Sequence, residues 1–475
     1  MGKLDNRTKW SYAIGATGRD AAYALVSMYL MSYIQYTMKL TVAQFGVISA
    51  VIMGCLIWDA INDPLMGIII ENCHFKTGKY KPWIFTGSIL NALVIIALFS
   101  IRPTGWGFVA FFGVFYLLWG MTYTMNDIAY WGMLPSLSSD AGERNTLVTL
   151  MSIFVCIGQF SVAGIVPTII AGNAINTYRV VALIVALCFI AFQMLTTFGV
   201  RERKHESDSK EKLSLKDMFR IFGRNDQLIP AGIASLLFNI ATNLLLLFGM
   251  NFFYFEFGYS EGGNLVFLFT VMYGLGTLLS QFAFPFLTKI SSRQKLLSII
   301  TIITVAGYLV LLGIGYVLPK SALLINFTGF VIFFCQGLFN LILLVMLNNT
   351  IEYDEYKFHQ RHDSIISTVR SLGAKLSSAI NQGIVTLVLI ISGIYSISQQ
   401  ISALEVESGA GNISPDQVLV QADSFIATAT GSQLLALRVG ITLVPVVILI
   451  GAWLLLHFKY KIDEEEYERI CSALK

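Results

Sequence analysis

Apolar runs long enough to cross a membrane recur along almost the whole of this 475-residue chain, and they restrict its fold more than any other feature. A helix needs about 20 predominantly apolar residues to cross the hydrocarbon of a bilayer. Runs near or above that length lie at roughly 11–36, 42–71, 82–101, 107–135, 146–171 and 178–200. A second set follows at roughly 229–256, 263–289, 296–316, 322–352, 364–397 and 433–458. Inside lipid a lone strand would leave its backbone groups unpaired, so each run is predicted to be a helix. The expected fold is all-α, with twelve transmembrane helices in two six-helix halves. The halves cover 1–200 and 229–475, the second carrying a polar tail, and the charged stretch 201–228 forms a linker between them.

Composition excludes several alternatives. Hydrophobic residues make up 55% of the chain and charged residues 13%, outside the balance of a soluble domain, and a net charge of +3 is too small to suggest nucleic acid. Cys55, Cys156, Cys188 and Cys335 sit in apolar runs, Cys73 and Cys471 near charged ends, and no spacing matches a zinc or disulfide pattern, so free thiols are expected. The N-terminal stretch has no small-residue cleavage site and is interrupted by Arg19-Asp20, which predicts a retained first span rather than a secretory signal.

Orientation follows from where the basic residues fall, because cytoplasmic loops keep an excess of Lys and Arg. Of the 32, 24 lie on the side of the N-terminus and four on the other (Lys39, Arg102, Arg179, Lys320), and the last long outer loop, about 398–432, has none. Both termini and the linker are therefore expected in the cytoplasm, with the protein multi-pass in the cell's inner membrane. The other four, Arg19, Arg370, Lys375 and Arg438, fall within predicted spans. Charges there are costly unless they face a cavity or a partner.

The second span carries Asp59, Asn62 and Asp63 at helical spacing, so one face presents two carboxylates and an amide oxygen. Two such acids repel unless a proton or cation lies between them, and hard oxygen donors suit an ion such as Na⁺. The alternative is an acid pair neutralised by basic residues for packing alone. On the fourth span Thr124, Asp127 and Trp131 form one stripe, with Tyr123 a turn before Asp127. A carboxylate that accepts hydroxyl hydrogen bonds beside an indole that packs on apolar C–H faces suits a sugar, although Trp131 alone could be an interfacial or packing residue. Gly15 and Gly18 on the first span permit close helix approach before Arg19 and Asp20. Adjacent positions diverge on a helix, so Arg19 and Asp20 are read as serving different partners, with Asp20 a second sugar-binding acid; mutual neutralisation is the other reading. On the eleventh span Ser371, Lys375, Ser378 and Gln382 share a face. Lys375 either takes the second-span acids as counter-ion or snorkels to the surface. No phosphate-binding loop, HExxH pair or GxSxG elbow occurs.

The segments WDAINDPLMG (58–67), GKYKPW (78–83), WGMTYTMNDIAYW (119–131), NDQL (225–228) and TIEYDEYK (350–357) resemble the glycoside-pentoside-hexuronide:cation symporter family of the major facilitator superfamily. The resemblance covers nearly the whole chain. It implies Asp59, Asn62, Asp63 and Thr124 as Na⁺ ligands with Lys375 close by, and Asp20, Arg19, Tyr123, Asp127 and Trp131 as the sugar site. Two positions depart from the family's sugar site, Ser152 and Asn340, where an arginine and a tryptophan would stand, which points away from a galactoside. The expected activity is sugar or glycoside symport with a cation, Na⁺ first, by a monomer with no other cofactor. Proton coupling, with a pentoside or hexuronide as substrate, is the nearest alternative, and Li⁺ could replace Na⁺. A membrane-embedded enzyme or a non-transporting sensor are the readings from other classes. The enzyme would need an acid/base pair beside a nucleophile or metal, and Cys55 is the sole candidate near the acid pair.

Overall fold

The computed structural model describes residues 4–73, 75, 77–138, 140–202, 223–359 and 363–474, and every regular element among them is helical. The linker segment 203–222 and loop residues His74 and Lys76 lie outside the described residues. The first span is a continuous helix made of α1 (Asn6–Ala24), a π-helical turn (Leu25–Tyr29) and α2 (Leu30–Thr37). It is followed by α3 (Val42–Asn72), α4 (Lys81–Ser100), α5 (Trp106–Leu137), α6 (Ala141–Ile169) and α7 (Ala174–Gly199). Beyond the linker come α8 (Leu228–Leu247), α9 (Gly249–Phe257), α10 (Tyr259–Ile290), α11 (Arg293–Gly313), α12 (Ala322–Phe358) and α13 (Asp363–Ile391). The chain ends in α14 (Ile394–Gly409), α15 (Pro415–Ala427), α16 (Gly431–Lys459) and α17 (Glu464–Ala473). Eleven segments from Val42 onward, with α8 and α9 taken together, are long and apolar enough to cross a membrane.

Helix starts follow capping chemistry. Thr41 and Gln44 form a capping box at α3, each side chain accepting from the other's amide. Glu202, at the far end of the first half, accepts from the Lys79 and Lys81 amides at 2.7 and 2.9 Å and so holds the basic turn that opens α4. The eleventh span ends at Ile391, short of its predicted limit, because Gly393 (φ 75°) takes the left-handed conformation that ends a helix. The polar stretch that follows folds into two further helices, α14 and α15.

The chain divides into two compact units, Met1–Asp208 with Phe253–Phe267 and Leu389–Thr430, and Ser209–Phe252 with Leu268–Val388 and Gly431–Lys475. Two segments of the second sequence half thus belong to the first unit. In that unit α1 packs on α6 and α7 through small residues. A Cβ on Gly18 would lie 2.9 Å from Phe189 Cα, and one on Gly158 would land on the Thr17 carbonyl oxygen. A buried amide relay fixes the rotation of α5: Asn126 donates to the Ile84 carbonyl (3.0 Å) and to Gln193 Oε1 (3.3 Å), and Gln193 donates to the Gly15 carbonyl (2.8 Å). In the second unit, Phe238 of α8 stacks on Phe339 of α12 with ring centroids 4.7 Å apart. Arg438, one of the four charges placed within spans, is 2% exposed and donates to the carbonyls of Leu312 and Ile314, with the Tyr316 ring 4.7 Å away. It satisfies orphan carbonyls at the end of α11.

Candidate cation and substrate site

The relay that orients α5 aims its stripe of small and polar residues at α3 and α1. Thr124 Oγ1 donates to Asp63 Oδ1 at 3.1 Å, and one turn earlier the bare Cα of Gly120 makes room for Asp59, whose Oδ1 would lie 2.6 Å from a Cβ there. Asp59 and Asn62 are each 9% exposed. Residues i and i+4 on α3 therefore meet residues i and i+4 on α5, which brings together two carboxylates and a hydroxyl, and Asn62, buried on α3, follows Asp59 by three residues on the same helix face. That donor set is hard, neutral in part and suited to a small cation. If this donor set holds Na⁺, Gly120→Ala is expected to weaken Na⁺ binding about ten-fold or more, because displacing one carboxylate ligand would cost the roughly 1–3 kcal/mol of a charged contact. Calorimetric Na⁺ titration without sugar checks it, and an unchanged affinity would show that Asp59 is no ligand.

The same stripe continues to Asp127 and Trp131, where α1 comes alongside. Arg19, 2% exposed, binds Asp20 Oδ2 through Nη2 (2.7 Å) and Nε (3.0 Å), and its Nη1 lies 3.1 Å from Asp127 Oδ1. The reading that Arg19 and Asp20 serve different partners is corrected: the guanidinium is long enough to fold back on its neighbour while also reaching α5. Two carboxyl groups share one guanidinium, and their oxygens offer hydrogen-bond acceptors. The Arg19 guanidinium also lies 4.7 Å from the Tyr130 ring and 5.4 Å from the Trp131 ring. Trp131 remains 43% exposed, so part of this indole is left uncovered by the protein.

Aromatic rings join the cation and acid clusters. Tyr123 stacks with Trp119 (5.8 Å) and meets Tyr23 of α1 (5.2 Å). Tyr12 and Tyr130 stack at 4.5 Å and exchange hydroxyl-to-carbonyl hydrogen bonds. Tyr23, Tyr130 and Gly120 were not singled out by sequence reasoning. The spacing of Tyr23, four after Arg19 and three after Asp20, was the signal available for it.

In the second unit α13 carries Lys375, half-buried, and Arg370. Arg370 and Ser371 line a cavity of about 340 Å³ with Ser235, Asn239 and Asn340, so the departure position Asn340 faces this space. Ser152, the other departure, is exposed on α6. Two of the motif segments meet at the ends of α8 and α12. Asp226 accepts from Lys357 Nζ (2.6 Å) and Tyr353 Oη (3.0 Å), and Arg224 binds Asp354 (3.3 Å). Partial burial opposes the charge on Asp226, but its bonds from Lys357, Gln227 and Tyr353 outweigh it and hold this carboxyl down at about 2. The stabilisation from the Asp226 contacts is fully present above the ordinary aspartate range and is lost as pH falls through that value.

Membrane-spanning helices built around buried acid, amide and aromatic groups are the frame of a multi-pass transporter, and the fold is that of solved transporters of the major facilitator type. A bacterial homologue of the lysosomal transporter Spinster covers 99% of each chain with a TM-score of 0.66 at 13% identity. A D-xylose-proton symporter covers 91% of this chain and 99% of its own with a TM-score of 0.60 at 11% identity. The chain belongs to the MFS/sugar transport protein family, whose model matches residues 11–464, a family of transporters rather than enzymes. It is 29% identical to a lactose permease of Lactobacillus delbrueckii subsp. bulgaricus over 81% of this chain and 63% of the permease. It is 25% identical to a raffinose carrier protein of Pediococcus pentosaceus over 80% and 62% of the two chains. An isoprimeverose transporter of Lactiplantibacillus pentosus is 24% identical over 81% and 80%. The chain thus spans just over three-fifths of the length of the first two relatives.

Proposed function

We propose that the chain is a symporter that couples entry of a sugar or glycoside to Na⁺ by alternating access of its two halves. The observation that carries this reading is one helix face: α5 presents Gly120 and Thr124 to the acids of α3, then Asp127 and Trp131 to the Arg19–Asp20 pair of α1. A cation held between α3 and α5 stabilises the position of the same helix that carries the sugar's acid and indole. That is a direct physical route for one ligand to favour the other. The relatives named as lactose, raffinose and isoprimeverose carriers support a sugar as cargo. Asp59, Asn62, Asp63 and Thr124 would hold Na⁺, and Asp20, Arg19, Tyr123, Asp127 and Trp131 the sugar. Lys375 would balance charge when the cation leaves. Two carboxylates with two neutral oxygen donors favour Na⁺ over a proton, which needs one carboxylate only.

An inward tenfold Na⁺ gradient supplies about 1.4 kcal/mol and one charge crossing 100 mV about 2.3. Their sum of about 3.7 kcal/mol supports roughly 500-fold accumulation of a neutral sugar. Counterflow of labelled lactose, raffinose and xylosides in vesicles, with and without Na⁺, tests the reading. Absence of counterflow for every glycoside removes it, and counterflow that follows pH but ignores Na⁺ replaces Na⁺ with H⁺.

The topology carries its own test. With the N-terminus inside, a single cysteine at Ser209 is expected to resist an impermeant maleimide in intact cells and to react in inverted vesicles. Labelling from outside would reverse the orientation.

A further inference from the structure

The outer loop that lacks Lys and Arg does not end its role as a connection. Its two helices turn carboxylates inward. Glu405 of α14 is fully buried: Oε1 accepts from the Gly172 amide (2.8 Å) and the Tyr259 hydroxyl (2.8 Å), and Oε2 from the Ala174 amide (2.6 Å). Three residues on, Ser408 donates to the Gly172 carbonyl (2.8 Å). On α15, Asp423 accepts from the Tyr259 amide (2.5 Å) and the Ser260 hydroxyl (2.9 Å). The acids of this hairpin therefore meet the amide-rich N-termini of α7 and α10, where the helix dipoles favour negative charge. At the other end of α14, Gln399 accepts from the Leu40 amide (2.9 Å) and donates to the Gln35 carbonyl (3.0 Å), and Tyr395 donates to the Leu40 carbonyl (3.0 Å). All of these groups lie within the first compact unit, although α14, α15 and Tyr259 come from the second half of the sequence.

We propose that Glu405 is the positioning residue of an outer clasp, whose two hydrogen bonds from the Gly172 and Ala174 amides must break each time the outer side of the carrier opens, while Tyr259, from the same sequence half, stays with it. The proposal rests on the symport reading and on the orientation derived from basic residues. In alternating access the halves separate on one side at a time, so second-half segments bound to first-half helix ends must let go on that side. Polar bonds suit such a joint because water replaces them on release, which keeps the closed and open energies near balance. Burial pushes the Glu405 carboxyl above the usual carboxylate range, against the opposing pull of the two amides and the Tyr259 hydroxyl. A carboxylate so placed is costly unless every donor is present, so the joint is either fully made or released to water.

The test reads opening without sugar or Na⁺, so it stands or falls apart from the proposed cargo. Ser408 is 7% exposed and Ser398, nearly three turns earlier on α14, is fully buried; Ser→Cys at each is nearly isosteric. In a background lacking the six native cysteines, each is labelled by an impermeant maleimide from outside. Glu405→Gln is expected to raise the labelling rate at both positions about ten-fold, since a buried charged acceptor is lost. A rise at position 408 alone would be fraying of the end of α14 and would overturn the clasp. So would unchanged rates in folded protein. If Glu405→Gln does not fold, Glu405→Asp decides, because it keeps the charge and is too short to reach the Gly172 and Ala174 amides together, so both rates are expected to rise.

Discussion

Asp59→Cys and Asp63→Cys are each expected to abolish uphill sugar accumulation, bringing it from several hundred-fold to one-fold, while exchange of sugar down its gradient survives. The reason lies in the contact between α3 and α5. Asp63 accepts from Thr124 and Asp59 packs at Gly120, so in the proposed site each carboxylate would tie the cation to the helix that also carries Asp127. Removing one acid leaves one carboxylate, two neutral donors and too little charge to pull Na⁺ from water. In the unaltered protein Na⁺ should raise sugar affinity, and sugar should raise Na⁺ affinity by the same factor, since binding linkage is reciprocal. That factor is expected to fall to one in both variants. Sugar binding across a Na⁺ series at fixed pH, paired with Na⁺ binding across a sugar series, measures it. Persistence of the mutual effect in either variant would remove that aspartate from the coupling site.

The second large effect separates the sugar from the ion. Asp127→Ala and Trp131→Ala are expected to weaken sugar binding by two orders of magnitude or more, leaving Na⁺ affinity in the absence of sugar within about three-fold. A carboxylate that accepts two hydroxyl hydrogen bonds contributes about 1.5–3 kcal/mol for each, and the exposed indole adds the apolar face on which a sugar ring packs. Asp127→Ala leaves Arg19 with Asp20 as a one-to-one pair at 2.7 Å, so no buried guanidinium is stranded and the fold survives. The Thr124–Asp63 contact lies a turn away on α5 and keeps its geometry. Calorimetry with Na⁺ alone, then with sugar, checks both halves of the expectation. Unchanged sugar affinity in both variants would move the sugar site off this helix face.

Much of the candidate site could be read from spacing. Asp59, Asn62 and Asp63 had to share a face of one helix, and Thr124, Asp127 and Trp131 a face of another, because the helical period allows nothing else. Tyr23 and Gly120 escaped that reading for different reasons. A tyrosine in an apolar span has many packing roles, and a glycine shows its purpose only when the side chain that occupies its missing Cβ is known.

Hydropathy alone determined that this chain is a membrane protein and where its spans lie, because a bilayer demands about 20 apolar residues per crossing and leaves no other way to satisfy the backbone. It also determined which polar residues needed a partner, because charge inside lipid is costly. Only the tertiary structure decided who the partners are. That Arg19 serves Asp20 and Asp127 together depends on how α1 rotates against α5, and that rotation is set by small residues and by the Asn126–Gln193 relay. The polar stretch of about 398–432 shows the limit most clearly. Its sequence stands out only for its lack of Lys and Arg, yet Glu405 is buried against amides 231 and 233 residues away. Local periodicity carries no information about pairings at that separation, because they arise from the packing of whole helices and not from any run of residues along one.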